Sequence, residues 1–140
     1  MLNTYVKFKE LLNKVTNKET VLWSGNSAGG NAINVNVNGY KRLRVKVRMS
    51  GIIDFLEIDL NIQTINIEKN GVYYKYGNST AAGAMDGTQY LNKASVAVSG
   101  DKTKVIGYGF GYSSLANGWN FQDRDGSTDV WGVLEIVGIK

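Results

Sequence analysis

The 140-residue chain contains no cysteine, no proline and no histidine. Without cysteine there is no disulfide framework, no thiol nucleophile and no cysteine-based zinc site. Without histidine, the Ser-His-Asp triad, HExxH zinc sites and imidazole acid–base chemistry are excluded. Any catalysis would have to rest on carboxylates, lysine or tyrosine. That inventory favours a non-catalytic protein with no cofactor and no bound metal. No run approaches the roughly 18 consecutive apolar residues of a membrane-spanning helix, so no membrane insertion is expected. Met1-Leu2-Asn3-Thr4-Tyr5 lacks the basic and apolar regions of a secretory signal. The expectation is a soluble chain made in the cytoplasm.

What is present fits a β protein. Seventeen glycines, together with frequent asparagine, supply tight turns between many short strands. Sixteen Lys and Arg against 12 Asp and Glu leave a net charge of +4. The excess is small and dispersed, so a nucleic-acid partner is not expected.

The first segment has helical period. Tyr5, Phe8, Leu12 and Val15 form a stripe, with Lys7, Lys9, Glu10, Asn13 and Lys14 off it. The stripe is too short for a coiled coil and too short to be stable alone, so something must cover it. It packs either on its own domain or, as an oligomerisation stalk, on neighbouring chains. Residues 1–18 are therefore read as a helix and 19–140 as one β domain.

From residue 21 the period becomes two. Val21-Leu22-Trp23 is a short strand followed by a Gly-rich loop over 24–31. Ile33, Val35 and Val37 alternate with asparagines, and Asn38-Gly39 is a preferred pair for a type I′ hairpin turn. The returning strand sends Leu43, Val45, Val47 and Met49 inward and Arg42, Arg44, Lys46 and Arg48 outward. Leu56, Ile58, Leu60 and Ile62 alternate with Glu57, Asp59, Asn61 and Gln63, with a bulge near Gln63-Thr64. Asn70-Gly71 marks a second hairpin. Residues 77–91 read as a loop, 94–98 and 105–112 as strands, and 113–129 as an irregular stretch. Val130 to Ile139, apolar on both faces apart from Glu135, reads as a central strand. About eight strands and one helix point to an antiparallel, jelly-roll-like β-sandwich.

Several groups invite chemistry. The basic ladder Arg42, Arg44, Lys46 and Arg48 is an anion stripe unless Glu57 and Asp59 on the next strand neutralise it, which is the preferred reading. Asp54, Glu57 and Asp59 are the one tight carboxylate cluster in a strand. Their spacing meets that of a glycoside hydrolase, but so do alternate residues of any strand. Asp123 to Asp129 looks like a calcium loop, yet Phe121 and Gly132 occupy the first and closing ligand positions of the EF-hand pattern. Tyr108, Phe110 and Tyr112 alternate with glycines and are expected on one strand face, packed against a tryptophan such as Trp131. Trp119, Asn120, Gln122, Asp123, Arg124 and Asp125 combine an aromatic face with planar polar groups, which is what a sugar requires. They are the candidate glycan site, set against a reading in which Trp119 and Phe121 plug the loop onto the core.

Three stretches carry a resemblance. Val21-Leu22-Trp23-Ser24-Gly25 leads into Ile33-Asn34-Val35-Asn36-Val37 and Tyr40-Lys41-Arg42-Leu43-Arg44-Val45. Ala81 to Gly83 and a polar loop form the middle, and Val105-Ile106-Gly107-Tyr108 and Val133-Leu134-Glu135-Ile136-Val137-Gly138-Ile139 form the end. This order resembles C-terminal domains of tail-fibre, receptor-binding and minor structural proteins from phages and prophages of Gram-positive hosts. It covers residues 20–140 and lies in scaffold positions. The resemblance implies a virion tail protein, commonly a homotrimeric β-sandwich, that contacts host cell-wall polysaccharide and other virion proteins. On it rest three expectations: a non-catalytic glycan-attachment module, a purely structural baseplate or capsid-decoration protein, and a carboxylate-dependent glycan hydrolase.

Overall fold

The computed structural model describes residues 2–16, 18–61, 66–69, 72–85, 88–127 and 130–140. Helix α1 spans Leu2–Thr16. The strands are β1 Glu19–Ala28, β2 Ala32–Asn34, β3 Arg42–Met49, β4 Ile52–Asp59 and β5 Asn66–Lys69. They continue with β6 Val72–Met85, β7 Thr88–Ser99, β8 Lys104–Ser114, β9 Gln122–Asp123 and β10 Trp131–Ile139. Eight strands have four or more residues; β2 and β9 are short additions. One sheet has the order β1-β10-β3-β4, the other β2-β8-β7-β6-β5 with β9 on β8, and every pairing is antiparallel. The result is the expected sandwich. Its first and last long strands pair in one sheet while β2 meets β8 in the other, a jelly-roll-like crossing. β5 to β8 run as a plain meander.

Period-two patterning sets the core. Leu43, Val45, Val47 and Met49 of β3, Leu56 and Ile58 of β4 and Val96 and Val98 of β7 face one another between the sheets. Val133 and Ile136 of the central strand β10 join them. Each fully buried side chain of this size contributes about 1.5–3 kcal/mol.

Four expectations change. The strand expected over 33–37 and the strand 42–49 do not form a hairpin. β2 pairs β8, and β3 pairs β10 and β4. Val35 and Val37 continue alongside 102–103, their amides donating to the Thr103 and Lys102 carbonyls. The chain then crosses to the other sheet through Gly39, at φ +89°. A sheet crossing and a hairpin bury the same alternate residues, so the pattern alone fits both. The region expected as a loop over 77–91 is the long arm of β6 and β7, paired from Tyr74↔Ser99 to Met85↔Thr88. Backbone pairing needs no large side chains, and a small-residue stretch hides it. The Gly-rich segment after Trp23 continues β1 to Ala28, through register shifts between Val21 and Trp23 and between Ser24 and Ser27. The stretch 113–129 gives Ser113 and Ser114 to β8 and Gln122 and Asp123 to β9. The bulge near Gln63-Thr64, the Asn70-Gly71 turn, Thr128 and Asp129 lie outside the described residues.

In α1, Tyr5 and Phe8 are 64% and 65% exposed, and Val6 and Leu11 are exposed as well. The β domain does not cover them. Leu12 and Val15 belong to the same helix, their side chains lying outside the described residues.

Candidate functional site

Along β7 the pleat divides neighbouring side chains between two surfaces. Asn92 is buried at 5% and Tyr90 is half-buried, whereas Leu91 and Lys93 are exposed. β8 lies beside β7 with a bulge. Ser95 pairs Tyr108 and Lys93 pairs Gly111, so Gly109 and Phe110 together oppose Ala94. Gly109 has φ +62°, a left-handed position suited to glycine. The bulge reverses the strand's parity. Tyr108, Phe110 and Tyr112 therefore do not share one face, contrary to the alternation. Phe110 turns to the core at 0% exposure, its ring lying over Gly107, while Tyr108 falls on the opposite side of the strand from Gly107.

Asp125 holds this bulge. Its Oδ2 accepts from the Gly109 amide at 2.8 Å and its Oδ1 from the Phe110 amide at 2.9 Å. The Arg124 amide donates to the Phe110 carbonyl at 2.7 Å, and the Gly126 amide to the Gly29 carbonyl at 2.9 Å. A Cβ on Gly29 would collide with the Asp125 carboxylate and stand 2.6 Å from the Phe110 ring, so this approach requires glycine. The segment 122–126 is thus stapled across β8 on both sides of Arg124.

Arg124 is thereby directed into an open cleft of about 600 Å³ at one end of the sandwich. Tyr90 and Asn92 of β7, Tyr112 of β8, Trp131 of β10, Ser127, Val130 and the β3–β4 turn at Ser50-Gly51-Ile52 complete it. The Ser50 amide donates to the Val130 carbonyl at 2.7 Å, tying that turn to the start of β10. Tyr112 stacks on Trp131 with centroids 6.0 Å apart and 23° between planes, and Tyr90 meets Tyr112 edge-on at 5.5 Å and 67°. The Arg124 guanidinium lies 5.1 Å from the Tyr112 centroid, and its Nη2 donates to the Tyr112 hydroxyl at 2.9 Å. Among the described lining residues there is one cation and no carboxylate.

Of the six residues expected at a glycan site, Arg124 lines this cleft. Gln122 and Asp123 form β9, opposite Tyr112 and Gly111. Asp123 Oδ1 accepts from the Asp125 amide, and both oxygens of Asp125 are taken by the bulge. The Asn120 side chain donates to the Asn117 carbonyl within its own turn. Trp119 is 47% exposed in a left-handed backbone conformation, closing that turn through its amide to the Ser114 carbonyl. Phe121 does not plug the core either. It rests on the outer side of β8 at Gly111, under the Lys93 ammonium. Tyr90, Asn92, Tyr112 and Trp131 were not among the expected site residues. Tyr90-x-Asn92-x-Ala94 does carry the period-two signal, overlooked because residues 77–91 read as a loop. Tyr112 and Trp131 were expected to pack together, and they do.

The basic ladder has a different setting. Arg42 pairs with Glu57 at 2.8 Å, and Arg44 grips both oxygens of Glu19 at 2.9 Å each. The Arg44 guanidinium holds the Glu19 carboxyl below the usual carboxylate range, and Glu19 in turn raises Arg44. Lys46 lies 6.0 Å from the Phe55 centroid. Of the carboxylates considered for hydrolysis, Glu57 is bound to Arg42, while Asp54 and Asp59 accept from the Phe55 and Asn61 amides. No group of three or more acidic side chains that would hold a metal ion occurs among the described residues.

No protein-family model matches the chain, and no curated protein or solved structure matches it.

Proposed function

We propose that the chain is a non-catalytic glycan-binding module of a phage tail fibre or receptor-binding tip, attaching the virion to host cell-wall polysaccharide. The observation that supports binding is the half-buried rings of Tyr90 and Tyr112, backed by the buried Trp131, beside Asn92 and Arg124. Ring faces take the apolar C–H faces of a pyranose, while amide and guanidinium groups bond its hydroxyls. A volume near 600 Å³ falls within the roughly 300–1,000 Å³ of small-molecule sites. The virion setting rests on the sequence resemblance. A second reading is a structural virion protein working through protein contacts. The exposed Tyr5 and Phe8 of α1 favour it, and in both readings α1 is the oligomerisation element, with a trimer expected.

Calorimetric titration with purified Gram-positive wall polysaccharide tests the site. Tyr90→Ala is expected to weaken binding about tenfold, ~1.4 kcal/mol, with little change in melting temperature, and Trp119→Ala to leave it unchanged. The opposite pattern moves the site to the 115–121 turn. A wild-type chain that ignores glycan but assembles with other virion proteins favours the structural reading. Light scattering measures the mass: a trimer supports α1 as a stalk, and a monomer removes that role.

A further inference from the structure

We infer that the sugar taken by the cleft carries a negative charge on its ring, as a carboxylate or a phosphate ester, and that Arg124 selects it. This rests on the glycan reading of the cleft and adds its chemical class.

Arg42 and Arg44 each grip a carboxylate, whereas Arg124 forms no ion pair among the described residues. Its acidic sequence neighbours bond backbone amides and form no ion pair with it: both Asp125 oxygens accept bulge amides, and Asp123 Oδ1 accepts from the Asp125 amide. One of the five guanidinium donors goes to the Tyr112 hydroxyl. The remaining donors form the planar fork that suits carboxylate and phosphate oxygens.

The position is also prepared. The Arg124 amide donates to the Phe110 carbonyl and the Asp125 carboxylate accepts from the Gly109 amide, which fixes the chain at and beside Arg124. The Tyr112 ring then supports the guanidinium at 5.1 Å. Much of the ordering cost of a long side chain is therefore met before a ligand arrives. Against a ring wall, an ionic contact is stronger than in open water. A neutral sugar would satisfy the hydroxyl-bonding groups yet leave this charge to water.

Matched sugars test this directly: galactose, galacturonate and galactose 6-phosphate, with inorganic phosphate as the anion lacking a ring. Binding is read from the Trp131 indole N–H signal in nitrogen-15 NMR spectra. Both anionic sugars are expected to bind about tenfold more tightly than galactose, the scale of one added charged hydrogen bond. That advantage should fall as salt rises, and Arg124→Gln should abolish it while weak galactose binding persists. Arg124→Lys, which keeps the charge and loses the fork, should retain part of it. Equal binding of galactose and galacturonate overturns the charge selection and leaves the glycan reading standing. Inorganic phosphate binding as tightly as the sugar phosphate overturns the sugar requirement. No response to any of the sugars overturns both. Galacturonate and galactose 6-phosphate separate carboxylate from phosphate as the preferred group.

Discussion

The outer face of the four-stranded sheet and the cleft at the sandwich's end both present arginine, and they differ in what the arginine meets. On β3, Arg42 and Arg44 face Glu57 and Glu19, Lys46 faces Phe55, and Arg48 also has a partner. In the cleft, Arg124 lies on a tyrosine ring with both neighbouring aspartates bound to backbone. The ladder has four basic side chains in a row, and two of them, Arg42 and Arg44, are paired with carboxylates. The described lining of the cleft has one, held in place. On the proposed reading, density of charge is a poorer sign of a binding site than a single charge that is fixed in place and forms no ion pair among the described residues.

The cleft should be the more sensitive of the two regions. Phe110→Ala removes a fully buried ring and should cost about 3–5 kcal/mol in urea unfolding. It also loosens the bulge beneath Arg124. Asp125→Ala is next. It leaves the Gly109 and Phe110 amides without their carboxylate and should cost about 1–3 kcal/mol. It should also erase the preference for anionic sugars, because Arg124 loses its staple. A variant that unfolds at the wild-type midpoint and keeps that preference would remove Asp125 as the positioning residue.

The ladder should respond least, and through pH. Glu19 is held below the usual carboxylate range by Arg44; away from the ladder, in the β7–β8 turn, Asp101 is held low by hydrogen bonds from Ser99 and Thr103. A lowered folded-state pKa stabilises the folded chain while the carboxylate is charged. This contribution is whole above the unfolded value of about 4 and is lost as pH falls through the folded value. The gap in melting midpoint between wild type and Glu19→Gln or Asp101→Asn should therefore be widest near neutrality and close in strong acid. For Glu19→Gln it should also shrink in 1 M salt, where charges are screened beyond about 3 Å. A gap that persists in acid would mean that packing carries the effect.

The sandwich was legible because alternation reports burial directly. Leu43 to Met49 and Leu56 to Leu60 are inside as their spacing requires. Alternation does not report which strand lies alongside. Asn38-Gly39 reads as a hairpin turn where the chain changes sheets, and the small residues of β6 and β7 read as loop where backbone pairing runs unbroken. The cleft was harder still. Its rings come from three strands, β7, β8 and β10, in two different sheets. The bulge at Gly109, which re-aims Phe110 and Tyr112, is a one-residue parity slip that periodicity misses. Arg124 was legible because it sits among other sugar-compatible groups, although the fold gives those neighbours structural work.

The last strand has a mechanical consequence. β10 runs from Trp131 at the cleft to Ile139, which pairs Glu19 at the base of the helix. Its nine residues cover about 30 Å, so the cleft and the helix lie at opposite ends of one strand. β10 is hydrogen-bonded on both sides, to β1 and β3, by bonds perpendicular to its length. A pull between the two ends loads those bonds together in shear instead of opening them one by one. If the cleft holds a surface, as proposed, a tug along that line is the one these paired strands resist best.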